Sequence, residues 1–425
     1  MKRFWLLFCF GFVVFLLGCG NGNDPDYIRL AWWGNTVRDE RTIKVAQLFM
    51  EKNPGVTVET EAIGWDGYWS RLNTQAAAGS LPDVMQQDYL FLEQYNSRNL
   101  LLDMNPFVRD GTIDLSLWTK DSLAAGTLGG KLIALNLGTN AWGMGVDPAV
   151  LERAGVTIDD TMWTWRDFED IALTVYRQTG VQTSPITETY EFFAHIGRQF
   201  GAPFFSSTQM NLGMTDNQDA KNAVKDLLAM MLRLKDAGAL YDPEDAFIPN
   251  RPMEESPIVR GKTWNSYYFS NQHVGFVDAA RRDLGYIIFP SVNGNKPPFG
   301  NFLKPSQLVS IVSTSKNQEL SARFVNFMLN DLEANRILLA ERGIPVPSNV
   351  RDDLRTQVDP VMGSLFDFID RVMPFTSPID PPDPPQAMEA RDIMRPILLR
   401  CLLGQVSVDD ALTQMIDGAN AVLGR

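Results

Sequence analysis

The chain is poor in the groups that most catalytic and metal sites are built from. Its 425 residues include two histidines, His195 and His273, so a multi-histidine metal centre is excluded. The three cysteines, Cys9, Cys19 and Cys401, show no CxxC spacing and no disulfide framework. Cys401 lies in an apolar stretch between Leu399 and Leu402 and reads as a buried, inert thiol. No HExxH and no GxSxG occurs. Positive charge is also short: 38 Lys and Arg face 51 Asp and Glu, a net charge of −13. Without a dense basic run, such a chain repels phosphate backbones, which excludes a nucleic-acid partner. Beyond the first seventeen residues there is no second long apolar run, so no later segment is expected to cross a bilayer. No metal and no cofactor is expected.

What is present begins with an export signal. Lys2 and Arg3 precede an apolar run from Phe4 to Leu17. A membrane span needs ~20 such residues, and this run has the length of a signal-peptide core. It ends in Leu16-Leu17-Gly18-Cys19, which resembles the lipobox of bacterial lipoproteins, with lipid expected on Cys19 after removal of residues 1–18. Loss of Lys2 and Arg3 takes the net charge from −13 to −15. Residues 19–26 contain Gly20-Asn21-Gly22-Asn23-Asp24-Pro25 and read as a flexible tether. The body is expected outside the cytoplasm, held at a membrane surface.

The remaining length, at roughly 150 residues per domain, suggests two or three domains. Tyr27–Trp33 reads as a strand, ended by Gly34-Asn35. A helix over about 39–52 puts Ile43, Ala46 and Met50 on one face. Val56, Val58, Thr60 and Ala62 alternate with polar residues as a second strand. Tyr68, Leu72 and Ala76 mark a second helix, Pro82–Asp88 a third strand, and a helix runs over about 91–98. This βαβαβ order predicts a mainly parallel α/β sheet. Pro374–Pro385 predicts an extended surface connection, and Ser407-Val408-Asp409-Asp410 caps a final helix.

Gly126–Leu132 looks like a phosphate loop only in outline, since Ala125 and Leu132 break the pattern, and a tight turn is the better reading. Asp66, Asp83 and Asp88 lie near predicted strand-to-helix junctions, where open α/β sheets bind ligands. They read equally as helix caps, acceptors for sugar hydroxyls, or a glycosidase pair. Aromatic residues fall at strand ends: Trp33, Trp65 with Tyr68 one turn on, Trp142, and Trp264 with Tyr267. Such plates suit the apolar face of a sugar ring, and core packing is the alternative for each. Trp32, facing away from Trp33, is expected in the core.

Several segments in order resemble the family 1 extracellular solute-binding proteins, the family of maltose-binding protein. They are Ala76–Val84, Gly130–Leu135, Gly261–Trp264, Ser313–Ala322, Gly343–Pro347 and Gly404–Leu412. The resemblance implies a two-lobed periplasmic-binding-protein-like α/β fold with the ligand at the hinge. By analogy one lobe takes 27–138 plus 281–330 and the other 139–280 plus 331–425. It implies a sugar or oligosaccharide as ligand, an ABC permease as partner, a monomer, and binding with closure in place of catalysis. The implied ligand contacts are Trp33, Asn35, Trp65, Asp66, Tyr68, Gln87, Asp88, Asn140, Trp142, Trp264 and Tyr267. Other readings are a polyol, glycerol phosphodiester or peptide on the same fold, and a secreted glycoside hydrolase or lyase.

Overall fold

The structure, a computed structural model, describes residues 26–249, 251–294 and 296–425. Strand β1 (Tyr27–Trp33) is apolar on both sides. Ile28, Leu30 and Trp32 enter one core layer, and Ala31 and Trp33 another. A strand covered on both faces belongs inside a sheet, and β1 pairs in parallel with β2 (Thr57–Ile63) and β3 (Val84–Gln87). Between them run α1 (Thr36–Lys52) and α2 (Trp65–Ala77), and α3 (Tyr89–Asn96) follows β3. Asn35 caps α1 by accepting from the Arg38 amide at 3.0 Å, and Phe49 meets Phe324 edge-on at 5.1 Å. Trp32 is in the core, its indole N–H donating to Asp39 at 2.8 Å. Residues 127–132 form a hairpin of β4 (Thr127–Leu128) and β5 (Lys131–Leu132), turned at Gly129 and Gly130 with positive φ.

Two long strands carry the chain between lobes. These are β6 (Leu135–Val146) and β9 (Leu303–Ile311), antiparallel to each other. β9 also pairs antiparallel with β3. The far half of β6 pairs with β7 (Asn265–Phe269) and β8 (Gly285–Ile287). The main sheet runs β2-β1-β3-β9-β6-β7, with β8 also on β6. Leu135 lies in the first lobe's core, whereas Trp142, Met144 and Val146 lie in the second's. In β9, Leu303 packs with the second lobe, and Val309 and Ile311 with the first. A third pass runs from Leu338, in the first core, to Val350, in the second, with Ile344 facing the second core and Val346 the first.

The three passes meet closely. Thr139 and Ile344 exchange backbone hydrogen bonds of 2.8 and 3.2 Å. A Cβ on Gly138 would lie 2.2 Å from the Arg342 carbonyl, so only glycine fits there. Buried Arg342 donates to Gln86 at 2.9 Å and to Thr42 at 2.8 Å, tying the third pass to the first lobe.

The cores divide the chain differently from the boundaries drawn by analogy. Leu284, Tyr286 and Ile288 pack in the second lobe, because β8 pairs with Met144–Val146, and the chain returns to the first lobe only along β9. The helix Leu332–Leu338 stays with the first lobe, burying Ala334 and Leu338, and Arg41 donates to the Leu338 carbonyl at 2.6 Å. The proline-dense stretch starts in a 3-10 turn at Met373–Phe375, runs extended with Pro378, Pro381 and Pro385 exposed, and also bridges the lobes: Ile379 packs on the first lobe, while Asp380 pairs with Arg198 of the second. No described helix is long and apolar enough to cross a membrane. Cys19 and the leader lie outside the described residues.

Candidate functional site

Because β1, β2 and β3 are parallel, their carboxyl ends share one edge of the first lobe. The register of Gln87 with Leu308 puts the start of β9 at that same edge. The edge faces the second lobe, and between them lies a cavity of about 390 Å³. The first lobe supplies Asp88, Tyr89 and Leu90. The crossing strand supplies Phe302, Lys304 and Ser306. The second lobe supplies Tyr190, Glu191, Phe269 and Arg391, and residues 379–383 close one side. Clefts of this size, aromatic with a few placed polar groups, suit small ligands. A larger groove of about 480 Å³ lies between the helices Trp165–Thr179 and Gln218–Asp236, on the second lobe alone, so a ligand there would bridge nothing.

The polar groups of the cleft differ in how fully they are engaged. Asp380 is held by Arg198 and Asp383 by Arg391. Asp88 caps α3 by accepting from the Leu90 amide at 2.9 Å. Among the described residues Glu191 has no hydrogen bond or ion pair to another residue's side chain, and burial, with Glu188 close by, pushes its carboxyl up to about 7. Lys304 has no ion pair among the described residues, and its ammonium sits 4.7 Å over the Phe269 ring. Arg391 covers Tyr190 at 3.6 Å.

Of the residues singled out from sequence, Asp88 lies in the cavity wall. Trp65 stands 44% exposed at the head of α2, edge-on to Trp33 at 5.1 Å. Trp33 is mostly buried under Trp65, Tyr68 and Trp69. Tyr68 is corrected to a core residue: it is fully buried, and its hydroxyl donates to the Gln86 carbonyl at 2.7 Å. Trp264 is corrected likewise. It is fully enclosed against Phe168, because its strand runs into the second lobe's core before reaching the cleft. Trp142 lies flat on Phe289 at 4.0 Å, also in that core. Tyr267 packs on Phe192 and donates to the Ser184 carbonyl at 3.2 Å. Asn35 is an exposed cap, and Asn140 accepts from Ser270 at 3.3 Å behind the crossing strands. Gln87 is wholly enclosed with neither amide atom partnered, a costly state for a buried polar group. Asp66 is the second residue of α2, and its side chain lies outside the described ones.

Sequence reasoning missed Tyr89, Tyr190, Glu191, Phe269, Phe302, Lys304, Asp380, Asp383 and Arg391. Only Phe269 carried a signal, two residues beyond Tyr267 and so on the same face of β7. Among the described residues no three His, Cys, Asp or Glu side chains gather into a metal-sized cluster.

The architecture has known counterparts. A family 1 extracellular solute-binding protein from Alicyclobacillus acidocaldarius superposes with a TM-score of 0.85 at 24% identity, over 94% of this chain and 98% of that one. A periplasmic oligogalacturonide binding protein from Yersinia enterocolitica gives 0.74 at 21%, over 93% and 98%. A cyclic alpha-maltosyl-1,6-maltose binding protein from Arthrobacter globiformis gives 0.70 at 16%, over 94% and 99%. The family model described as bacterial extracellular solute-binding protein matches residues 44–362, about three-quarters of the sequence. With a two-lobed α/β body, three crossing passes and a cleft walled by both lobes, the chain belongs to the bacterial extracellular solute-binding proteins.

Proposed function

We propose that the chain is the substrate-binding lipoprotein of an ATP-driven importer, taking a sugar or oligosaccharide between its lobes and delivering it to a membrane permease. The observation that carries this reading is a cavity whose wall is shared by the first lobe, the crossing strand and the second lobe. A ligand bridging both sides favours the closed arrangement by its differential affinity for it, and that is the signal a permease reads. Phe302, Phe269 and Tyr89 offer ring surface for sugar C–H faces, Glu191 accepts hydroxyl protons, and Lys304 donates. The relatives that bind oligogalacturonide and cyclic maltosyl-maltose support a saccharide ligand.

Binding without turnover is part of the proposal. General acid and base catalysis at a glycosidic bond takes two available carboxyl groups. In this cleft two of the four acids are held by arginine and a third caps α3. The test is a thermal-shift screen of the mature protein against oligosaccharides, polyols, glycerol phosphodiesters and peptides, followed by calorimetry and recovery of the ligand. A saccharide bound and returned intact supports the reading. Tight binding of peptides alone, or cleavage of the saccharide, overturns it.

A further inference from the structure

Residues 376–383 arise in the second lobe and lie across the cleft. Their hold on that lobe is Arg198, 6% exposed at the end of the helix Thr189–Arg198. Its guanidinium donates to the Ser377 carbonyl at 3.1 Å, the Ser377 hydroxyl at 2.7 Å, the Pro378 carbonyl and the Asp380 carboxylate. Four acceptors from one short segment use the planar fork of arginine in a way that lysine cannot match. The Phe204 amide and Gln209 reach the same segment, donating to Asp380 at 3.4 Å and to the Pro382 carbonyl at 2.9 Å. Prolines 378, 381 and 382 restrict the backbone, so the segment crosses as a stiff unit.

The opposite side of the segment touches the first lobe. The Tyr89 hydroxyl, at the head of α3, donates to the Asp380 carbonyl at 2.6 Å. Burial and the nearby Asp380 and Asp383 keep that phenol protonated, so the donor persists across the physiological range. Ile379 packs on the first-lobe core layer that holds Trp33, Met85 and Leu308. The Thr376 hydroxyl, which donates to the Met373 carbonyl at 2.9 Å, lies 3.5 Å from the Asp121 carboxylate of the first lobe. The segment thus touches the first lobe across the cleft with no ligand between them, while at its start Ser377 is also bonded to Asn301 and Phe299, just before β9.

We propose that residues 376–383 are a clasp carried by the second lobe and docked on the first at Tyr89, and that it biases the ligand-free receptor toward the closed arrangement, with Arg198 as its positioning residue. This rests on the reading of the chain as a receptor that opens and closes, and it adds the element that sets the resting balance. A ligand then completes a closure already favoured, and release to a partner has to undo the clasp as well as the ligand contacts. Opening exposes Ile379 and leaves the Tyr89 hydroxyl to water, so each contact acts only in the closed state.

The test needs no ligand. The radius of gyration of the mature chain bearing Cys19→Ser is measured by small-angle scattering in buffer alone, beside Tyr89→Phe, Ile379→Ser and Arg198→Lys. Tyr89→Phe removes one half-buried hydroxyl and keeps the ring, and one such hydrogen bond moves the closed-to-open ratio by about fivefold. All three variants are expected to be larger than the parent, with circular dichroism unchanged, and lysine at 198 is expected not to restore the parent value. A radius unchanged in Tyr89→Phe and Ile379→Ser overturns the clasp, whatever the ligand screen finds. A larger radius in these variants with no saccharide bound would keep the clasp and reject the sugar.

Discussion

Glu191 shows how a single side chain can hold both a cost and a use. Its carboxyl, raised by burial and by Glu188 to about 7, is protonated in the folded protein over a range in which the unfolded chain ionises it. The folded form therefore binds the extra proton, and the ligand-free protein loses stability as pH rises from about 4.5 toward 7. Glu191→Gln removes this loss, so its melting temperature is expected to gain on wild type over that interval and to run parallel above it. A ligand that donates hydroxyl protons to the carboxylate favours the ionised form, so affinity is expected to rise with pH through 7 in wild type and to stay flat in Glu191→Gln. Calorimetry at pH 5.5 and 8 measures the slope. Lys304 and Arg391, which favour the charged form, and Asp88, Asp380 and Asp383 remain in both proteins, so the difference reports this group.

The tryptophans separate at the same scale. Trp264→Ala is expected to cost ~3–5 kcal/mol of stability by denaturant titration, since a fully enclosed indole leaves a cavity. Trp65→Ala, half out in solvent at the first lobe's edge, is expected to melt near wild type. Equal losses of stability in the two would place Trp65 in the core. In the sequence both are tryptophans near strand ends and look alike. What separates them is which end of a strand meets the other lobe, and that depends on the antiparallel entry of β7 against β6.

Among the elements, the crossing strands concentrate the constraint. Gly138, Ser306 and Arg342 leave no room for a side chain at their meeting point, and the Ser306 hydroxyl donates to the carbonyls of Gly138 and Arg342. Gly138→Ala forces the third pass away from β6 and is expected to cost ~1–3 kcal/mol, read as a lower denaturation midpoint. If the midpoint does not move, this junction is looser than its backbone spacing implies. Elements formed by local pattern were legible from the sequence: β1 from its apolar run, α1 from its spacing and its stop at Asn53-Pro54-Gly55, and the last helix from the Ser407 cap on Asp410 at 3.1 Å. Elements that owe their place to distant partners were not. The proline-dense stretch lies across the cleft because Arg198, about 180 residues earlier, holds it there, and no local pattern encodes such a pair. The same reason hid the cleft residues Tyr190, Lys304 and Arg391.

At the scale of the whole molecule, the net charge of −13, or −15 after the proposed removal of residues 1–18, opposes adsorption to an anionic membrane, so a body kept at the surface would need a lipid. One acyl chain anchors only marginally, and more than one is expected on Cys19. Cys19→Ser is expected to move the protein from the membrane fraction to the soluble one, or to leave an uncleaved precursor. Unchanged mass and unchanged partition would dismiss the lipid.

Tyr27 opens β1 at the end opposite Trp33, and Trp33 is at the edge that faces the second lobe. The proposed lipid on Cys19 would therefore moor the molecule by one pole, with the second lobe at the far pole. Eight residues span at most about 28 Å when drawn out, while a compact body of this length is roughly 40–50 Å or more across. Upright on such a mooring, the receptor would hold the cleft a full lobe above the lipid, out of reach of a transporter in the same membrane. Toppled, it would lay both lobes along that membrane while the moored pole hardly moved. Handing over cargo to the proposed permease would then be a matter of tipping about a fixed point, and the length of the mooring line would set how far the receptor could lean.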